Sequence, residues 1–147
     1  MQKVYKSGYR IVHMSEIKII VDEMMKELAV FIFAQAQENL IKNGTPDTGY
    51  LMRSATVKKE GNNWVDDWDA PYAARIENGS GPHYVPPKVL EGWIRRKLGV
   101  KDPDEVKSIA FAISKHIERY GTKPQPFVWP AIETARLKFK GGKKLLK

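Results

Sequence analysis

Apolar residues recur at Ile17, Ile20, Val21, Met24, Leu28, Phe31 and Ile32, and the series continues through Ala36 to Leu40. Steps of three and four residues place such a series along one side of an α-helix, so the pattern predicts a helix over Ser15–Lys42. Ser15 suits the helix start, because its hydroxyl can accept from a free backbone N–H. Asn43-Gly44 and then Pro46 supply the stop. The apolar seam is about 40 Å long at 1.5 Å per residue and requires a sheet or another helix to cover it. Met24 and Met25 read as packing residues within it.

Downstream the pattern shortens. Gly44–Arg53 is rich in turn formers. Ser54–Lys59 and Trp64–Trp68 are two β-prone runs around Gly61-Asn62-Asn63, which predicts an antiparallel hairpin. Strand alternation sets Trp64, Asp66 and Trp68 on one face and Val65 and Asp67 on the other, as at a sheet edge or a face that meets another subunit. Pro71–Asn78 is a short helical or extended segment closed by Gly79, and Gly79–Pro87 is a Gly- and Pro-rich loop. Lys88–Leu98 predicts a helix with Val89, Leu90, Trp93, Ile94 and Leu98 inward. Asp102-Pro103-Asp104-Glu105 is a helix start of the capping-box kind, and that helix runs to Tyr120 with Val106, Ile109, Ala110, Ile113 and Ile117 as its stripe. Gly121 ends it. Thr122–Phe127 is a proline-fixed extended link, and Pro130–Phe139 is a last helix. Residues 1–14 read as a loose arm with a short strand at Tyr9–His13. The fold class expected is α+β: a long N-terminal helix packed on a small antiparallel sheet, with two or three further helices. The arm is followed by a single domain over residues 15–139 and a basic tail over residues 140–147, with no internal repeat.

Composition narrows the classes. A chain of 147 residues with 42% hydrophobic and 29% charged residues has the size and mix of one globular domain. No window approaches the roughly 18 uncharged apolar residues of a membrane helix, so no membrane partner is expected. Lys3, Lys6 and Arg10 come without an apolar block or a small-residue cleavage site, so no secretory signal is expected. There is no cysteine, which removes disulfides, thiolate zinc sites and cysteine nucleophiles.

The formal net charge of +8 invites a nucleic-acid reading, but its distribution changes the picture. Residues 1–43 and residues 44–133 each carry an excess of one basic side chain. The last fourteen residues hold Arg136, Lys138, Lys140, Lys143, Lys144 and Lys147 and no acid. The basic character therefore belongs to a tail, either a solvated end or a contact for a polyanion.

The residues that carry chemistry are sparse. His13, His83 and His116 are the three histidines, and none forms a zinc helix with another. Asp66, Asp67 and Asp69 cluster in sequence but lack the glycine and terminal glutamate of a calcium loop. They read as a solvated acidic turn or a partner for an arginine on a neighbouring subunit. Gly79-Ser80-Gly81 lacks the Lys-Ser/Thr of a phosphate loop, and no nucleophile elbow is present. No catalytic, metal or cofactor site is expected; a small nuclease built on Asp66, Asp67 and His83 is the enzymatic reading that remains.

Three blocks stand in an informative order. Thr48-Gly49-Tyr50-Leu51-Met52-Arg53-Ser54 follows the long helix. Tyr72-Ala73-Ala74-Arg75-Ile76-Glu77-Asn78-Gly79-Ser80 follows the hairpin, and Gly121-Thr122-Lys123-Pro124-Gln125-Pro126-Phe127-Val128-Trp129-Pro130-Ala131 precedes the last helix. With the long helix, this order resembles the tail-completion, neck or minor tail proteins of long-tailed bacteriophages, over about residues 15–139. The family pattern is Thr-Gly-x-Leu-x-x-Ser, then Tyr-Ala-x-x-(Val/Ile)-Glu-x-Gly-(Thr/Ser), then Pro-x-Pro-Phe with a following Pro-Ala. The matching positions are Thr48, Gly49, Leu51, Ser54, Tyr72, Glu77, Gly79, Pro124, Pro126, Phe127, Pro130 and Ala131. Asn78 stands where an aromatic is usual, Ser80 replaces the commoner Thr, and Met52 stands where a basic residue is common.

These residues also have a physical reading of their own. Gly49 can take a positive φ with Thr48 capping the next segment, Leu51 can enter the core beneath the long helix, and the prolines restrict the last linker before folding. Phe127 would anchor that linker. Glu77 is either a surface carboxylate or a salt bridge or cap that fixes the Gly79 turn.

The resemblance implies a non-enzymatic virion protein at the joint between head connector and tail tube, made in the host cytoplasm and assembled as a homo-oligomeric ring, with six copies suggested. Its partners would be connector or adaptor and tail-tube proteins. Trp64, Trp68, Tyr84 and Trp129 are candidate interface anchors, and Lys138, Lys140, Lys143, Lys144 and Lys147 are candidates for non-specific contact with DNA. The alternative is a nucleic-acid-binding module using the basic tail and Arg95-Arg96-Lys97.

Overall fold

A computed structural model describes residues 14–140. The arm before Met14, with its predicted strand, and the tail lysines Lys143, Lys144 and Lys147 lie outside the described residues. Helix α1 spans Met14–Lys42 and is followed by a single turn, α2 (Tyr50–Arg53). Strands β1 (Ala55–Glu60) and β2 (Asn63–Trp68) come next, then the helices α3 (Ala73–Asn78), α4 (Pro87–Leu98), α5 (Pro103–Tyr120) and α6 (Val128–Lys138). The fold is α+β with a long N-terminal helix and a small antiparallel sheet. Two of the five helices after α1 are short: α2 has 4 residues and α3 has 6. Ser15 lies inside α1 and not at its cap, because the helix begins one residue earlier than predicted.

The hairpin pairs Ala55 with Trp68 and Glu60 with Asn63, leaving a two-residue turn at Gly61-Asn62. Gly61 has φ +60° and Asn62 does not have a positive φ, the pattern of a type II′ turn that suits the right-handed strand twist.

The described residues form two cores. Ala36, Leu40, Leu51, Ala70, Phe127 and Ala131 form the larger, between α1, the hairpin and α6. Trp68 joins it, stacking on Phe33 at 6.0 Å between ring centroids and meeting the Phe127 ring edge-on at 5.3 Å. Ile94, Val106 and Ala110 form the smaller, inside the α4–α5 pair. Helix α5 starts as its sequence predicts: the N–H of Glu105 donates to Asp102 Oδ2 at 2.9 Å, and Pro103 occupies the first turn. In α4 only Ile94 is fully buried. Val89, Trp93 and Leu98 stand exposed, because the helix is covered by α5 on one side alone.

Helix α1 departs most from expectation. Its buried stripe is Ala29, Ala36 and Leu40, with Phe33 between them. Extended towards the N-terminus, that side reaches Lys26 and Asp22. Asp22 accepts from Trp64 Nε1 (3.1 Å) and from Lys59 Nζ (2.7 Å), and the Lys59 ammonium holds its carboxyl below the usual range. The apolar series Ile17, Val21, Met24 and Leu28 lies one residue, hence about 100°, around the helix from this side. Ile17, Ile20 and Val21 are exposed. What reads as one seam is two, and among the described residues it is the C-terminal one that meets the body.

The α4–α5 excursion leaves and returns at one place. Ser80 and Thr122 form an isolated antiparallel bridge, each N–H donating to the other's carbonyl at 3.0 Å. Gly79 and Gly121 flank it with φ of +69° and +72°, and a Cβ on Gly121 would overlap Ser80 O. Only glycine permits that approach. Ser114 Oγ donates to Val85 O (2.6 Å), holding the loop before α4 against α5.

Candidate functional site

The three blocks that carry the family resemblance converge on the C-terminal half of α1. Gly49 has φ +78°, which turns the chain into α2 and sets Leu51 into the main core beside Ala36 and Leu40. Thr48 Oγ1 lies 3.4 Å from the Tyr50 N–H, a long contact, and Arg53 Nη1 donates to Thr48 O at 2.9 Å. Ser54 Oγ donates to Leu51 O (2.8 Å) and accepts from Ala70 N–H (3.2 Å), locking the start of the hairpin to its end. Tyr72 sits beside Tyr50, ring centroids 6.3 Å apart.

Glu77 is the pivot. One of its carboxylate oxygens accepts from the N–H groups of Phe127 (2.7 Å) and Val128 (2.9 Å), and the other accepts from Trp129 N–H (2.8 Å). These are unpaired donors at the α6 N-terminus, where a negative charge also meets the positive end of the helix dipole. Of the two readings the sequence left open for Glu77, a surface carboxylate or a salt bridge or cap at the Gly79 turn, the structure shows neither: Glu77 caps α6. The Pro124–Phe127 strap is fixed from both sides: Gln125 N–H donates to Ile76 O (2.7 Å), Asn43 Nδ2 to Pro126 O (3.0 Å) and Asn39 Nδ2 to Phe127 O (3.0 Å). Phe127, at the end of the strap, is buried with Ala131.

Several depressions border this region. A groove of about 390 Å³ lies between the α1–α2 connector, α3 and α4, lined by Leu40, Tyr50, Met52, Tyr72, Val89 and Trp93. Asp47 and Arg96 close one rim through two hydrogen bonds of 2.8 and 2.7 Å, and the guanidinium holds the Asp47 carboxyl below its usual range. A second hollow of about 500 Å³ lies between β2, α3 and the start of α6. Asp66 borders it. Its Oδ1 is buried without a hydrogen-bond partner, as is Trp68 Nε1, and burial pushes the Asp66 carboxyl up to about 6.

The candidate anchors divide. Tyr84 and Trp129 are exposed at 61% each. Trp64 and Trp68 are not: both are half-buried against α1 of their own chain, because the hairpin face they share is the one that covers the helix. Arg95 pairs with Glu91 (3.7 Å), Arg96 with Asp47, and Lys97 Nζ donates to Gly44 O (2.8 Å). Lys138 lies over the Phe31 ring at 4.1 Å, and Lys140 is exposed.

Asp66 and Asp67 face opposite sides of β2, with Asp67 3.9 Å from Lys58. His83 Nδ1 is bonded within its own loop to Gly81 O at 2.9 Å. Among the described residues no three His, Asp or Glu side chains are grouped to hold a metal ion, and no described helix is long and apolar enough to cross a membrane.

Sequence reasoning missed Asn39, Asn43 and the Asp47–Arg96 pair. Asn43 carried a signal of its own only as a helix stop. Compared with protein-family models, with curated proteins and with solved structures, the chain matches none.

Proposed function

We propose that this protein is a structural component of the neck or tail of a long-tailed bacteriophage, free or prophage-encoded, which forms a ring at the joint between head connector and tail tube. What supports the reading is the convergence of the three motif blocks. Residues far apart in sequence — Leu51, Glu77 and Phe127 — lock one structural unit around α1, as parts of a scaffold do. Apolar surface left uncovered on α1, α4 and α6 gives such a scaffold places to meet copies of itself or adjoining virion parts. Six copies is the number the family resemblance suggests.

The test is electron microscopy of the purified protein, alone and with connector and tail-tube proteins, joined to a head–tail joining assay with the gene removed. Rings, and unjoined heads and tails in the deletion, are expected. A monomer under every condition, or normal joining without the protein, overturns the reading.

The nucleic-acid-binding alternative rests on the C-terminal lysines, since Arg95, Arg96 and Lys97 are each engaged within the chain. It predicts salt-dependent DNA binding that deletion of residues 140–147 abolishes. The scaffold reading predicts that the same deletion leaves assembly intact.

A further inference from the structure

We infer that the α4–α5 pair is a lobe that swings on the Ser80–Thr122 bridge and is latched closed by Arg96 on Asp47. The inference goes beyond the neck reading and stands without it.

Separate packing defines the lobe. Ile94, Val106 and Ala110 form its core, and the partly buried side chains packed on them, from Leu90 to Ile113, come from the same two helices and the turn between them. The main core takes no residue from α4 or α5. The two helices pack extensively on each other, and among the described helices and strands on no other element. The loop before α4 belongs to the lobe as well: His83 N–H donates to Ile117 O (3.3 Å), and Ser114 Oγ holds Val85 O. A unit that packs inward on itself and little on its neighbours moves as one body.

The crossing defines the pivot. Both passages of the chain between lobe and frame run through the one backbone bridge. A Cβ on Gly79 would stand 2.5 Å from Thr122 O, so the two passages are pinned closely side by side. Just past the pin on the lobe side, a Cβ on Gly81 would meet nothing within 4 Å, so the chain has room to turn there. Hinges are built from a few such loop residues that absorb the change in backbone angles.

The latch stands away from the pivot. Arg96 lies roughly 14 Å along α4 from Pro87, at 1.5 Å per residue. Its Nε and Nη2 donate to different oxygens of Asp47, a two-pronged geometry that fixes both partners in place. Lys97 Nζ adds its bond to Gly44 O. Gly92, one helical turn before Arg96, leaves space for the guanidinium: a Cβ there would stand 3.0 Å from Arg96 Nη1. Glycine inside a helix is destabilising, and here it clears the path of the latch.

Behind the latch lies the groove of about 390 Å³. Leu40, Tyr50 and Tyr72 of the frame form one wall, and Val89 and Trp93 of the lobe form the other. Lobe and frame face each other there across open space. The Arg96 side chain is 52% exposed and that of Asp47 20%, so water and salt reach the latch. A pair of this kind contributes modestly and is weakened by screening. Closed and open positions of the lobe therefore differ by a small free energy, which the charge of one side chain is enough to shift.

The chain has no cysteine, so nitroxide labels can be placed at will. Ala34→Cys on α1 and Ser108→Cys on α5 are exposed positions, and double electron–electron resonance between them reads the distance from frame to lobe. Dilution with unlabelled chain removes distances between copies. Lys88→Cys with Ser108→Cys reads a distance inside the lobe. The natural chain should show one dominant frame-to-lobe distance. Asp47→Asn or Arg96→Gln should raise the share of a second distance about fivefold, and high salt should do the same to the natural chain. The reversed pair, Asp47→Arg with Arg96→Asp, should restore the natural distribution. The distance inside the lobe should stay single throughout, with circular dichroism unchanged.

A frame-to-lobe distance that neither variant nor salt moves overturns the inference. So does a reversed pair that fails to restore it. A distance inside the lobe that spreads together with the other also overturns it, because the helices would then be unravelling and not swinging.

Discussion

The Glu77 carboxylate and the Trp129 backbone N–H are 52 residues apart in sequence and 2.8 Å apart in space. The same carboxylate takes the N–H groups of Phe127 and Val128, so one side chain from α3 satisfies three donors at the start of α6. Replacing Glu77 with Ala leaves those donors without acceptors and removes a charge from the favourable end of the helix dipole. The expected cost is about 2–3 kcal/mol. Glu77→Gln, which keeps an acceptor oxygen but not the charge, should lose about half as much. Urea unfolding with a constant slope measures both, and equal stability of Glu77→Ala and the natural chain would refute the cap.

Gly121 closes against the Ser80 carbonyl at a φ of +72°. Gly121→Ala adds a methyl group where backbone already stands and forces an L residue into the left-handed half of φ space. A loss of at least about 2 kcal/mol is expected, with faster hydrogen exchange at the Ser80 and Thr122 amides as the bridge opens. An unchanged melting temperature would show that the bridge carries no such constraint.

Asp66 gives a pH dependence of definite sign. Burial raises its folded carboxyl from 3.8 to about 6, so between those values the native state holds a proton that the unfolded state has released. Stability from this group therefore falls as pH rises from about 4 to about 6 and is level above that. Asp66→Asn should remove this slope and raise stability at pH 7. The gain is on the order of 1 kcal/mol, discounted because water still reaches part of the carboxyl. The difference between the two proteins across pH 4–7 isolates it from Asp22 and Asp47, whose lowered values act below that window. Equal slopes would refute it.

The two cores should fail separately. Ile94→Ala empties the small core between α4 and α5, and Phe127→Ala empties the main one. Each should cost about 3–4 kcal/mol where it acts. Hydrogen exchange should rise in α4 and α5 alone for the first and throughout the molecule for the second. Uniform exchange in both variants would mean a single cooperative unit.

What was legible in the sequence was what neighbours in sequence decide. Asp102, Pro103 and the Val106–Ile117 stripe lie within one helix, and α5 formed as read. The Gly61-Asn62 turn and its flanking runs gave the hairpin. Ile17 to Leu40 shows why the rest was not. Spacing says which residues share a side of a helix, but not which side the remainder of the chain will occupy. Here the hairpin settled on the side of Asp22 and Ala29, one residue away from the apolar series. Trp64 and Trp68 went with it, since the face they share is the one that reached α1. Glu77 and Arg96 found partners about fifty residues off, and no local pattern announces such a pairing.

The Ser80–Thr122 bridge makes the segment between them a detour with a common door. The two ends of that detour meet at one bridge, and beyond it the α4–α5 pair is tied to the frame through Arg96 on Asp47 and Lys97 on Gly44 O. The α4–α5 pair thus carries its own small core of Ile94, Val106 and Ala110, hinged on the frame at a single backbone bridge.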